Sequence, residues 1–102
     1  MIKAVYEAIG GNYKSIIVTG HAEYGEYGKD LVCASVSSIM FGFMNALDAL
    51  DDKKIEIEQL ENEIVIRNHT NLAVVDDYFE LVIMQLKTIE ESYGDFIKVE
   101  RK

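Results

Sequence analysis

The sequence contains no proline and one cysteine, and its bases are too few to balance its acids. Each shortage excludes a class of protein. A single cysteine cannot close an internal disulfide, which removes the disulfide-stapled secreted scaffolds and predicts a reduced thiol. With 10 Lys plus Arg against 18 Asp plus Glu, the net charge is −8 and no basic stretch of useful length remains. Nucleic-acid binding through phosphates is therefore not expected. No run approaches the roughly 20 unbroken apolar residues of a membrane span. The start, Met-Ile-Lys-Ala-Val-Tyr, has no basic head leading into an apolar secretion segment. No low-complexity tract, internal repeat or linker interrupts the chain. These absences predict one cytoplasmic domain over residues 1–102, away from membranes. The acidic surface serves solubility, or field complementarity to a basic partner.

The apolar share, 49%, suffices for one core. Residues 2–8 roughly alternate and predict a strand, and Gly10, Gly11 and Asn12 supply a turn. The β-branched run 14–19 predicts a second strand paired to the first. A long helix follows Asp30, its predicted N-cap, with apolar residues at Leu31, Val32, Val36, Ile39, Met40, Phe43, Met44, Leu47 and Leu50. Gly42 inside it costs about 1 kcal/mol against Ala, which close packing on a sheet or a partner helix would explain. Asp48, Asp51 and Asp52 oppose the dipole at its end and predict a stop there.

Residues 53–68 read as a hairpin turning at Glu61-Asn62, with Ile64 and Ile66 on one face. Asn71 is the expected cap of a second helix with the stripe Leu72, Val75, Phe79, Val82, Ile83, Leu86, Ile89 and Tyr93. Gly94 is its expected C′ residue, and a short strand over 96–99 ends the order β-β-α-β-β-α-β. Paired hairpins with two amphipathic helices predict an α+β fold, an antiparallel or mixed sheet layered with the helices. Two helices need not cover both sheet faces, and a leftover apolar face predicts a dimer interface.

The chemistry concentrates between Gly20 and Cys33. His21 is one of two histidines and Cys33 is the sole cysteine, and a glycine-spaced loop separates them. A thiol and an imidazole are the minimum for nucleophilic catalysis. With Asp30 as N-cap, Cys33 is the third helical residue, where unpaired amides and the dipole favour thiolate and offer donors to an oxyanion. His21, at a strand end, is positioned to return a proton to a leaving amine. Asp30 serves as a cap or as an orienter of His21. Ser37, one turn beyond Cys33, bonds the thiol or the histidine, or back-bonds to the carbonyl four residues earlier. Gly20, Gly25 and Gly28 permit a moving loop that also holds Ala22, Glu23, Tyr24, Glu26 and Tyr27, with Tyr24 and Tyr27 able to touch an apolar substrate. A zinc site from His21, Cys33, His69 and a carboxylate is the weaker reading, because no ligand pair has metal-site spacing. No metal and no cofactor is expected, and no phosphate-cradling fingerprint is present.

The motif G-H-A-x-Y-G-E-Y-G-x-D-L-V-C-A-x-V-S over Gly20–Ser37 resembles the ribosomal-processing cysteine protease (Prp) family. F-G-F-M-N-A-L and L-K-T-I-E-E-S-Y downstream extend the likeness along nearly the whole chain. The resemblance implies that His21 and Cys33 are the catalytic pair and that Asp30 and Ser37 support them. It implies a homodimer with a flexible loop over the site. The implied substrate is a large-subunit ribosomal protein made with a short apolar N-terminal extension, which the enzyme removes. Glu23 departs from the small or varied residues that the resemblance leads one to expect at its place. The alternative is a non-catalytic assembly protein that binds the same ribosomal protein without cutting it.

Overall fold

The computed structural model describes residues 1–20 and 29–102, with Lys29 and Asp30 described by their backbone alone. The elements follow the expected order: β1 (Ile2–Ile9), β2 (Asn12–Thr19), α1 (Lys29–Ala49), β3 (Ile55–Leu60), β4 (Glu63–Asn68), α2 (Ala73–Tyr93) and β5 (Ile97–Arg101). The strands form one mixed sheet in the order β3-β4-β2-β1-β5. Three of its pairings are antiparallel, and β5 lies parallel to β1.

Alternation decides where the helices sit. Ile2, Ala4, Ile16, Val18, Ile64, Ile66 and Ile97 project from one sheet face and are all buried in a single cluster with both helices. From α1 the cluster takes Val32, Val36, Met40, Phe43, Met44 and Leu47, spaced for one helical face. Leu31–Ala49 is long and apolar enough to cross a membrane by composition, with mean hydropathy 1.5. Its buried face here serves as a core helix.

The other sheet face carries charge, so the leftover face is not the apolar one expected. Lys3 pairs with Glu100 and Arg67 with Glu58, each at 3.7 Å and exposed. The apolar side chains of this face include a strip of Val5 beside Ile17 beside Val65, and the exposed Ile9 and Leu60 at the strand ends.

A β-bulge breaks the alternation of β2. Glu7 pairs with Ser15 but Ala8 pairs with Tyr13, leaving Lys14 as the extra residue. Tyr13 thereby turns to the helix side, where its ring stacks on Phe79 at 5.6 Å, and Phe43 meets Phe79 edge-on at 5.0 Å. Burial, then the Glu80 carboxylate, pushes the Tyr13 phenol up. The bulge takes Tyr13 backbone groups out of the ladder, and side chains replace the partners. The Tyr13 amide donates to Asp76 at 2.8 Å, and its carbonyl accepts from Asn68 Nδ2 at 2.8 Å. Asn12 Nδ2 also donates to Asp76. Replacing Asp76 with alanine orphans a part-buried amide, so a loss of about 1–3 kcal/mol is expected. Urea unfolding of the variant measures it, and an unchanged midpoint would show that the bulge needs no such partner.

Three local expectations fail, in whole or in part, for identifiable reasons. Leu72, not Asn71, occupies the α2 N-cap, and no side chain caps it. Instead Thr70 Oγ1 accepts from the Leu72 amide at 3.3 Å and itself donates to Asn68. Gly94 follows α2 in a right-handed conformation, φ −59°, so it is not a left-handed C′ residue. Gly42 is exposed, and a Cβ there would meet no neighbouring atom within 4 Å, so close packing on the sheet does not explain it.

Candidate active site

Helix α1 begins at Lys29, before Asp30, so Asp30 lies in the first turn and is not the capping residue. Cys33 is then the fifth helical residue rather than the third. An amide at that position meets the carbonyl four residues earlier and belongs to the helix ladder. The amides without intrahelical acceptors are those of Lys29, Asp30 and Leu31. The Cys33 side chain still leans back toward them, because helical Cα–Cβ bonds tilt toward the N-terminus. Its stabilisation by the dipole is weaker than a first-turn position would give, since that effect fades beyond the end turn.

Cys33 is half-buried and packs against the core cluster. Val32 and Val36, on either side of it along the helix, are 1% exposed and hold this part of α1 down on the core. Leu31 is half exposed. Cys33 therefore sits at the seam between core and surface, with one side fixed by packing. Ser37 lies one turn on, also half-buried. Its hydroxyl makes no hydrogen bond to a described residue; the back-bond is made by Ser35, which donates to the Leu31 carbonyl at 2.9 Å. Cys33 and Ser37 share one stripe of α1 at i, i+4 spacing.

His21 and the loop residues Ala22, Glu23, Tyr24, Gly25, Glu26, Tyr27 and Gly28 lie outside the described residues. Gly20, the last described residue before them, is an anchored point. It is buried, has φ +81°, and donates its amide to the Asn62 carbonyl at 3.3 Å. A Cβ at Gly20 would run into the Met1 carbonyl oxygen. The chain thus leaves β2 toward His21 from a position clamped between β1 and the β3–β4 turn. Gly20 is an anchor and not part of the expected flexible loop; a glycine directly after a β-branched run is the sequence signal for such a close backbone approach.

The zinc reading fails on topology. His69 pairs with Glu56 at 2.9 Å and lines the charged sheet face beside Ser15 and Ile17, whereas Cys33 packs on the helix side. The sheet separates them. Among the described residues, no three His, Cys, Asp or Glu side chains are grouped to hold a metal ion.

The sequence matches the family described as Cysteine protease Prp over residues 1–98. It is 35% identical over 95 residues to the Ribosomal processing cysteine protease Prp of Staphylococcus aureus, spanning 90% of each chain. It is 33% identical over 99 residues to the protein of that name from Bacillus subtilis, spanning 83% of this chain and 82% of the other. Among solved structures, the S. aureus Prp protease in complex with a substrate peptide superposes with TM-score 0.90 at 30% identity, covering both chains fully. The same protease with a covalently linked product peptide gives TM-score 0.86 at 31% identity. A thiol at the start of a core helix, the strand-end glycine before His21 and the agreement of fold and sequence along the chain lead to one assignment: this protein belongs to the Prp family of ribosomal-processing cysteine proteases.

Proposed function

We propose that this cysteine protease removes the short apolar N-terminal extension of a large-subunit ribosomal protein in the cytoplasm, with Cys33 as nucleophile and His21 as general acid and base. The observation that carries the reading is the placement of Cys33: a thiol held at the seam of the core, its side chain leaning toward the open amides of α1. The relatives named for ribosomal processing, and the peptide seated on the S. aureus protein, support a peptide substrate from a ribosomal protein.

The Cys33 thiolate attacks the scissile carbonyl carbon, and the carbonyl electron pair moves onto oxygen. Amides of Lys29 to Leu31 are the donors available to that oxyanion. The His21 imidazolium gives its proton to the leaving amine as the C–N bond breaks, which leaves a thioester on Cys33. His21 then takes a proton from water, water oxygen attacks the thioester, and the sulfur departs as thiolate. Asp30 and Ser37 are proposed as supporting residues, and the Ser37 hydroxyl, one turn from the thiol and without a hydrogen bond to a described residue, suits that role. The loop over residues 21–28, hinged on the anchored Gly20, is proposed to cover the bound peptide. The acidic chain, net −8, attracts the basic body of a ribosomal protein. Intact-mass analysis of the extended ribosomal protein with and without this enzyme tests the reading; a mass that never shortens overturns it.

The enzyme is also proposed to act as a homodimer through its helices. A groove of about 330 Å³ runs between α1 and α2, lined by Ile39, Gly42, Ala46, Tyr78 and Leu81 among others. Leu81 and Met84 are each 60% exposed on the adjoining α2 surface. Open space over Gly42 suits the close approach of a partner helix. Leu81→Glu is expected to convert the dimer to monomer by light scattering, and an unaltered mass would remove this face from the interface.

A further inference from the structure

The charged sheet face contains a concavity of about 360 Å³ that the peptidase reading does not use. Its walls include Lys14, Arg67 and Lys102, with Ser15 between them and Glu7 as the carboxylate at its edge. Glu7 is the acid among its lining residues, and Glu58 and Glu56 on β3 are paired with Arg67 and His69, so Lys14 and Lys102 supply the positive charge here that is not committed to a described residue.

Strand register explains the gathering. Arg67 pairs with Ser15 across β4 and β2, and Ser15 pairs with Glu7 across β2 and β1. The Lys102 amide donates to the Tyr6 carbonyl, which sets Lys102 at the same end of the sheet. Lys14 joins this row only because of the bulge. In regular alternation it would share the side of Ile16 and Val18, the helix side; as the extra residue it lines the open face instead.

The cations are available. Neither the Lys14 nor the Lys102 ammonium makes a hydrogen bond or ion pair with a described residue. Arg67 makes only the exposed 3.7 Å pair with Glu58, a weak contact that leaves most of its guanidinium donors unused. His69, also at the rim, is occupied by Glu56. Beside the cations lies the apolar strip of Ile17, flanked by Val5 and Val65.

We infer that this pocket binds a small phosphate-bearing molecule. Its phosphate is held by Lys14, Arg67, Lys102 and the Ser15 hydroxyl, and its flat or apolar part lies over Ile17. Convergent cations favour a dianion over a single carboxylate. The volume is in the range of small-molecule sites and larger than inorganic phosphate needs. An extended polyanion is disfavoured, because the acidic surface beyond the pocket repels it. This inference is independent of the peptidase reading, since the pocket lies on the opposite side of the sheet from the cluster that holds Cys33.

The test is amide-resolved NMR titration of the full chain with AMP, inorganic phosphate and adenosine as probes. AMP is expected to give saturable shifts at Lys14, Ser15, Ile17 and Arg67, phosphate to bind more weakly, and adenosine to leave them unmoved. Lys14→Gln and Arg67→Gln should each weaken AMP binding about tenfold. Lys102→Gln, outside the sheet ladder, gives the same reading if a strand variant fails to fold. Absence of saturable AMP shifts, or equal binding by the variants, overturns the proposal. Tighter binding of a single-stranded RNA oligonucleotide than of AMP also overturns it, by showing an extended ligand.

Discussion

Replacing Cys33 with alanine is expected to reduce peptide cleavage by about 10⁵-fold or more, to background, while the fold survives. Nucleophile removal in hydrolases of this mechanistic type costs on this order, because the remaining groups cannot form the covalent intermediate. Stability should change little. Cys33 is half-buried at the edge of the core, and the substitution removes one sulfur atom from a site that borders the surface rather than from the packed interior. The two effects separate cleanly: intact-mass assay reads the chemistry, and a thermal melt reads the fold. His21→Ala should approach the same background rate. Normal cleavage by the Cys33 variant would exclude this thiol as nucleophile, whatever the family resemblance. A melt lowered in step with activity would instead point to a structural role for the side chain.

Both hairpins and both helices were legible, since periods of two and of about three and a half residues persist through β3–β4 and through α2. The bulge at Lys14 was not. It holds because Asp76 and Asn68, separated from Tyr13 by 63 and 55 positions, supply the partners its backbone lacks. No local pattern reports such compensation. The start of α1 was misplaced for a related reason: Asp30 has good capping chemistry, but the helix continues one residue beyond it toward the N-terminus. That shift moves Cys33 from the first turn into the second and lessens the dipole contribution to its chemistry. In the proposed mechanism, more of the thiol activation then falls to His21. Residue types alone made the thiol and imidazole a candidate pair; the motif around them, rather than any periodicity, gave them roles.

Gly20→Ala is expected to be the most damaging conservative change outside the proposed catalytic pair. Two costs coincide there. The left-handed backbone, φ +81°, strains any residue with a Cβ by about 1–2 kcal/mol. The new Cβ also meets the Met1 carbonyl oxygen and lies 3.5 Å from the Ile2 Cα, so the start of β1 must move. Ile2 is 2% exposed in the core, which resists that movement. If β1 holds, the displaced part is the chain leaving Gly20, and the next residue is His21. A displacement of about 1 Å in a catalytic group can cost on the order of a hundredfold in rate. Gly11→Ala supplies the control. Gly11 has the same φ, +81°, but a Cβ there meets nothing within 4 Å. Both variants should lose thermal stability from backbone strain, while only Gly20→Ala should lose about a hundredfold in kcat. Equal activity in the two variants would show that Gly20 contributes turn geometry alone, and that its anchorage against Met1 does not govern where the histidine stands.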